Sequence, residues 1–221
     1  MKVIITGTTG MVGKGTLLEA IRDPDVESIL VINRSSIGLH HPKVKEVLHS
    51  DFFDLSPVRQ ELKGYDACLF CLGVSSVGMS ETEYRQMTYD LTVGFAKEVL
   101  AQNPGMTFCY ISGSGTDGSE KGRLMWARVK GKTENDLMKM GFRDAYMFRP
   151  AFIQPFEGVK AKSNTVNVLY RIFSPLYFLL KRMPAWVTDT RTLGKAMLRV
   201  ARAGYKQKVL ENRDINLVGA N

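Results

Sequence analysis

The chain has 221 residues, 44% of them hydrophobic, which suits one domain with a small appendage and a sizeable core and excludes disorder. The formal net charge is +8, but residues 1–150 carry 18 Lys+Arg and 18 Asp+Glu, whereas residues 151–221 carry 12 against 4. That asymmetry excludes a uniformly basic nucleic-acid packager and describes a neutral scaffold with a basic C-terminal third.

The elements follow in chain order. Lys2–Thr6 (KVIIT) reads as a short apolar strand, and Gly7-Thr8-Thr9-Gly10-Met11-Val12-Gly13 as a turn. Residues 14–22 have helical spacing, with Leu17, Leu18 and Ile21 on one side. Ser28–Asn33 (SILVIN) is a second strand, residues 43–49 a short third one, and residues 57–62 a short helix. Residues 67–72 (ACLFCL) form a fourth strand and 81–102 a long helical stretch stopped by Asn103-Pro104-Gly105. Residues 106–112 are a fifth strand, 124–140 a helix ended by Gly141, and 145–149 a sixth strand ended by Pro150. Beyond it, residues 166–182 are apolar and aromatic and are interrupted by Pro175. Thr190–Ala203 is an amphipathic helix that sets Leu193, Ala196, Met197, Val200 and Ala201 opposite Arg191, Lys195, Arg199 and Arg202. Residues 214–218 read as a last strand.

Strands that alternate with helices, several of them continuous apolar runs, imply a mostly parallel sheet covered on both faces. Right-handed crossovers make this an α/β, doubly wound Rossmann fold. Residues 1–155 are expected to form the dinucleotide-binding domain, and residues 156–221 a C-terminal lid or substrate region packed on it.

The three cysteines, Cys68, Cys71 and Cys109, are too few for a disulfide framework and fit a reducing compartment. Cys68 and Cys71 have CxxC spacing but lie in a strand-like run, where core packing is expected. The chain opens on a strand and a glycine turn, and its longest charge-free apolar run near the C-terminus is nine residues against about 20 for a membrane span. A cytoplasmic location is the expectation.

The strongest local signal is Gly7-x-x-Gly10-x-x-Gly13 between a strand and a helix. Glycine permits the tight turn and close approach of backbone to a pyrophosphate, whose charge the helix start favours. Thr8 and Thr9 offer hydroxyls to the same phosphates, while Met11 and Val12 pack on the sheet. The second strand ends in Asn33-Arg34 with no carboxylate to take the ribose 2′-OH of NAD. Arg34 can pair with a 2′-phosphate, so NADP is expected in preference to NAD. Asp51 can accept from the adenine amino group with Phe52 beside the ring; the pair reads equally well as a polar loop with an aromatic anchor.

The turn TGTTGMVG, the DFFD after strand three, Gly73 after strand four, Ser112 after strand five, Lys130 on the next helix and Arg149-Pro150 after strand six occur in that order. Together they resemble the atypical or extended short-chain dehydrogenase/reductase superfamily, the NAD-dependent epimerase/dehydratase type. VKGKTE is the closest local match to the branch that includes the Tat-interacting oxidoreductase-like proteins. The resemblance covers about residues 1–155.

It implies a Ser–Tyr–Lys catalytic set, in which Ser112 and Lys130 match and Trp126 stands at the tyrosine position. Lys130 would also hold the nicotinamide ribose. An indole has no useful acidity, so Trp126 cannot supply the general acid/base contribution of about 10²–10⁴ in rate. Asp117 reads as a base or a loop cap, Lys130 as a proton carrier if desolvated, and Tyr84 and Tyr89 as packing residues that could approach the site. His40, His41 and His49 fall in the adenine half, and no metal-ligand spacing is visible.

The expected activity is that of an NADP-dependent oxidoreductase or epimerase on a small or lipophilic carbonyl or alcohol. A catalytically silent NADP(H) sensor or scaffold is the alternative. The basic C-terminal third fits a lid over a small-molecule substrate, a peripheral membrane contact or a homodimer surface. No nucleic-acid motif accompanies the charge.

Overall fold

The computed structural model describes residues 1–156 and 185–220. Seven strands form one parallel sheet: β1 (Lys2–Thr6), β2 (Ser28–Asn33), β3 (Val44–Leu48), β4 (Ala67–Phe70), β5 (Thr107–Ile111), β6 (Asp144–Arg149) and β9 (Val209–Glu211). Their order is β3-β2-β1-β4-β5-β6-β9, so the chain reverses direction across the sheet between β1 and β4. A second, two-stranded parallel sheet pairs β7 (Phe152–Gln154) with β8 (Val187–Asp189).

Central strands buried on both faces need side chains that are apolar throughout, which is why β1, β2 and β4 read KVIIT, SILVIN and ACLF. On one face α1 (Met11–Arg22), α5 (Thr190–Ala203) and α6 (Asn212–Ala220) cover Val3, Ile5, Val31 and Leu69. On the other lie a 3-10 helix (Ser56–Leu62), the composite helix α2 (Glu81–Arg85), π-turn (Gln86–Asp90) and α3 (Leu91–Gln102), and finally α4 (Met125–Lys139). Cys68 and Cys109 are buried and Cys71 is half-buried; all three are free thiols in or beside the core strands. Burial pushes Cys71 up to about 12, so it is an inert packing group.

Two expectations need correction. Helix α1 begins at Met11 rather than at residue 14, because Gly10 is its N-cap and Gly13 lies inside its first turn. Residues 214–218 are helical, and the last strand is Val209–Glu211. The Asp214 carboxylate accepts from the Glu211 N–H (3.2 Å) at the helix start, and Gly219 lies flush on Thr192 of α5. An alternating-looking run was therefore one face of a short helix.

The basic face of α5 folds back onto the domain. Arg202 pairs with Asp23 and Asp25 (2.5 Å each), and Arg199 donates to the Val218 carbonyl (2.6 Å). The described C-terminal charges are thus partly met within the fold, across α1 and its following turn. The aromatic run of residues 166–182 lies outside the described residues.

Candidate functional site

The C-terminal ends of parallel strands, at the point where strand order reverses, form the expected crevice of such a sheet. The glycine turn sits there. Gly7 has φ +70°, and a Cβ on it would lie 2.7 Å from the Cys71 carbonyl oxygen. A Cβ on Gly13 would lie 2.3 Å from the Gly7 carbonyl oxygen. Gly10 caps α1 without any side-chain hydrogen bond, so the first-turn N–H groups have no side chain over them. These glycines make a cradle that side chains would fill, and the cradle fits a pyrophosphate.

Thr8 and Asn33 take other parts than expected. Thr8 is buried, and its hydroxyl donates to Asn33 Oδ1 (3.0 Å) while Asn33 Nδ2 donates back to it (2.8 Å). The Thr8 hydroxyl therefore braces the turn against β2 instead of facing a phosphate. Thr9 remains half-exposed, and with Lys14, Ser35 and Ser36 it lines a shallow cavity on the outer side of the turn. Met11 is half-buried at the start of α1, and Val12 packs on the core.

A separate cleft runs across the strand ends. Arg34, Asp51, Phe52 and Phe53 line it beyond β2 and β3, Leu72 and Gly73 beyond β4, Tyr110 from the end of β5 and Lys130 from α4. One Asp51 oxygen accepts from the Phe53 N–H (2.8 Å), which fixes the loop and the Phe52 ring beside it. The π-turn adds Met87 and Thr88 to the inner wall. An extra residue in a helical turn commonly marks a functional site, and no periodicity signal reveals it in the sequence.

At the inner end, Lys130 donates to the backbone carbonyl of Ser112. Gly113 lies beside the ammonium: a Cβ there would be 3.9 Å from Nζ. Burial lowers the Lys130 pKa to about 8, against an opposing upward pull from the Glu134 carboxylate one helical turn on. The Ser112 hydroxyl is buried and points away from the cleft, donating to Glu134 Oε1 (2.5 Å) with the Phe148 carbonyl oxygen also within reach (3.1 Å). Its expected role in orienting a substrate is therefore replaced by a structural one, anchoring β5 to α4. Glu134, 1% exposed, is held by a bidentate pair with Arg149 (Nε–Oε1 3.0 Å, Nη2–Oε2 2.5 Å). Its i,i+4 relation to Lys130 was visible in VKGKTE, but its burial was not.

Trp126 lies outside the cleft lining, and its ring edge rests on the loop at Gly115, where a Cβ would be 3.2 Å away. Tyr84 is buried, and the Tyr89 hydroxyl donates to Asp136 (2.5 Å). Asp117 is a loop cap that accepts from Ser119 and Gly122, contacts that hold its carboxyl below the usual range. Tyr110, which the sequence analysis passed over, lines the cleft, but burial pushes its phenol far above the ordinary value.

The fold recurs in solved structures. A short-chain dehydrogenase/reductase from Saccharomyces cerevisiae superimposes with a TM-score of 0.66 at 13% identity, over 96% of each chain. The UDP-N-acetylglucosamine 4-epimerase from Methanobrevibacter ruminantium gives 0.69 at 16%, over 95% of this chain and 75% of that one. The fold is that of the short-chain dehydrogenases. No family model matches the chain. Among curated proteins it is 26% identical over 204 residues to "Protein FMP52, mitochondrial" of Debaryomyces hansenii, covering 91% of this chain and 86% of that protein. The protein of the same name from Emericella nidulans is 26% identical over 216 residues, with coverages of 92% and 87%. These names overturn the expected cytoplasmic location. Within this fold Lys130 lines the cleft, Trp126 lies outside its lining and the Ser112 hydroxyl is buried.

Proposed function

We propose that this chain binds NADP(H) along the cleft and acts as an oxidoreductase or epimerase-type enzyme on a small or lipophilic carbonyl or alcohol. The observation that carries this reading is a single cleft joining Arg34, Asp51, Phe52 and Gly73 to Lys130 beside the glycine cradle. Arg34 would pair with the 2′-phosphate, Asp51 would accept from the adenine amino group, and Lys130 would hold the ribose hydroxyls. The nicotinamide, when bound, exchanges a hydride with carbon.

Proton movement falls to Lys130. Of the two titratable side chains at the inner end of the cleft, Lys130, lowered to about 8, can change protonation near neutral pH, whereas burial keeps the Tyr110 phenol protonated. A lysine ordinarily titrates near 10.5, so between pH 8 and 10.5 the unfolded chain holds a proton that the folded chain has lost. The cost of burying this ammonium is therefore present below about pH 8 and relieved as pH rises through that window. Turnover that uses the neutral amine as base should rise through about pH 8 and level off above it.

Amine-directed acylation tests the reading. Near pH 8, Lys130 should label faster than the exposed lysines, and NADPH should protect it. Labelling of Lys130 at the common rate, with no protection, would count against a nucleotide at this cleft. The inward Ser112 hydroxyl favours a second reading, a binder without hydride chemistry. Confirmed NADPH binding without nicotinamide turnover on a broad carbonyl and alcohol panel would select it. The relatives' names support a mitochondrial setting for the chain.

A further inference from the structure

The end of β2 has no acidic residue of its own, but the fold delivers one from the neighbouring strand. Glu46, in the middle of β3, lies opposite Val31 in the register and reaches the loop that follows β2. Its Oε1 accepts from Asn33 Nδ2 (3.1 Å) and from the Ile37 N–H (3.0 Å), and its Oε2 accepts from the Ser36 hydroxyl (2.6 Å). Asn33 in turn exchanges two hydrogen bonds with Thr8 of the glycine turn. One half-buried carboxylate thus ties β3 to the β2 loop and, through Asn33, to the phosphate cradle.

Arg34 and Ser35 are the two residues between those ties. Asn33 before them and Ser36 after them both donate to the same carboxylate, so the pair is stapled at each end. Three donors around Glu46 outweigh the upward push of its burial and hold it ionised below the ordinary glutamate range. Both oxygens face the loop's own donors, which turns a charge that would repel a phosphate into a fixture of the loop that would receive one.

Resting on the cofactor reading above, we propose that Glu46 is the positioning residue that sets selectivity at the ribose 2′ position, acting through Arg34 and Ser35. The ligand group it serves is a 2′-phosphate on an adenine dinucleotide, in preference to a 2′-hydroxyl.

The test is nucleotide titration by calorimetry on the full chain, with melting curves to confirm folding. Glu46→Ala should weaken NADPH about tenfold, the scale set by loss of one charged hydrogen-bond set, and change NADH less than about twofold. Glu46→Gln, which keeps the shape and one good acceptor, should fall between. Ser36→Ala, at an exposed position, should move the ratio the same way by less and serves if Glu46→Ala does not fold. In an Arg34→Ala background, Glu46→Ala should add nothing, because its effect runs through Arg34. Equal weakening of both nucleotides, tighter NADPH binding in both Glu46 variants, or an unchanged ratio would each overturn the proposal while leaving the cofactor reading intact. A wild-type chain that binds neither nucleotide would overturn both.

Discussion

Gly131→Ala should cost the protein about 3 kcal/mol and lower its melting temperature by roughly 6–12 °C, with nucleotide binding falling in parallel. A Cβ at Gly131 would stand 1.8 Å from the Asp117 carbonyl oxygen and 3.1 Å from the Gly118 nitrogen. Both neighbours are backbone, in a loop pinned at several points: Asp117 N–H donates to the Ala127 carbonyl (3.1 Å), Ser114 N–H to the Pro150 carbonyl (2.8 Å), and the Thr116 hydroxyl to the Gly113 carbonyl (2.7 Å). Neither side can yield without lifting α4 from the loop after β5. Because α4 carries Lys130 and Glu134, that displacement would pull the ammonium from the Ser112 carbonyl. Gly94→Ala is the control: nothing lies within 4 Å of its Cβ position on α3, so that change should be neutral or slightly stabilising. Equal melting temperatures for the two variants would refute the contact.

Arg149→Met should cost about 3–5 kcal/mol, because it strands the Glu134 carboxylate in the interior. Glu134 has 1% of its surface exposed, and without the guanidinium it keeps, among the described residues, only the Ser112 hydroxyl as a close donor. Arg149 also spans to Glu211 on β9 (3.1 Å), so the same substitution loosens the edge of the sheet. The double variant Arg149→Met/Glu134→Leu should recover most of the loss, since replacing a whole buried pair by apolar groups is often neutral. Chemical denaturation of the three proteins checks this. A double variant no more stable than Arg149→Met would show that the pair is not what the interior needs.

These two predictions concern residues that sequence reading treated only as pattern. Arg149-Pro150 served as a family mark, and VKGKTE as a local match; the contacts that give Arg149, Gly131 and Glu134 their weight join segments far apart in the chain. The first six strands were legible because burial on both faces forces apolar runs, and the cradle was legible because positive φ and close approach both demand glycine at Gly7 and leave no room at Gly13. Arg34, Asp51, Phe52, Gly73 and Lys130 line one cleft because the loops after β2, β3 and β4 and the N-terminal half of α4 meet at the same edge of the sheet. Direction was harder. Whether Ser112 and Thr8 turn their hydroxyls outward or inward depends on Glu134 and Asn33, partners set by three-dimensional packing. Glu46 was hidden for a similar reason: it belongs to the neighbouring strand, and only the β2–β3 register carries it to the corner where a carboxylate had seemed absent. The π-turn left no trace, since one inserted residue does not disturb a long apolar pattern.

The central claim is that the cleft holds a 2′-phosphorylated dinucleotide, with Arg34 as its reader. Calorimetric titration of the wild-type chain with NADPH and NADH, repeated on Arg34→Ala, tests it most directly. The account predicts micromolar NADPH binding, weaker NADH binding, and a loss of about 10-fold or more for NADPH alone when Arg34 is removed. Wild-type protein that binds neither nucleotide, or binds NADH more tightly, would contradict it.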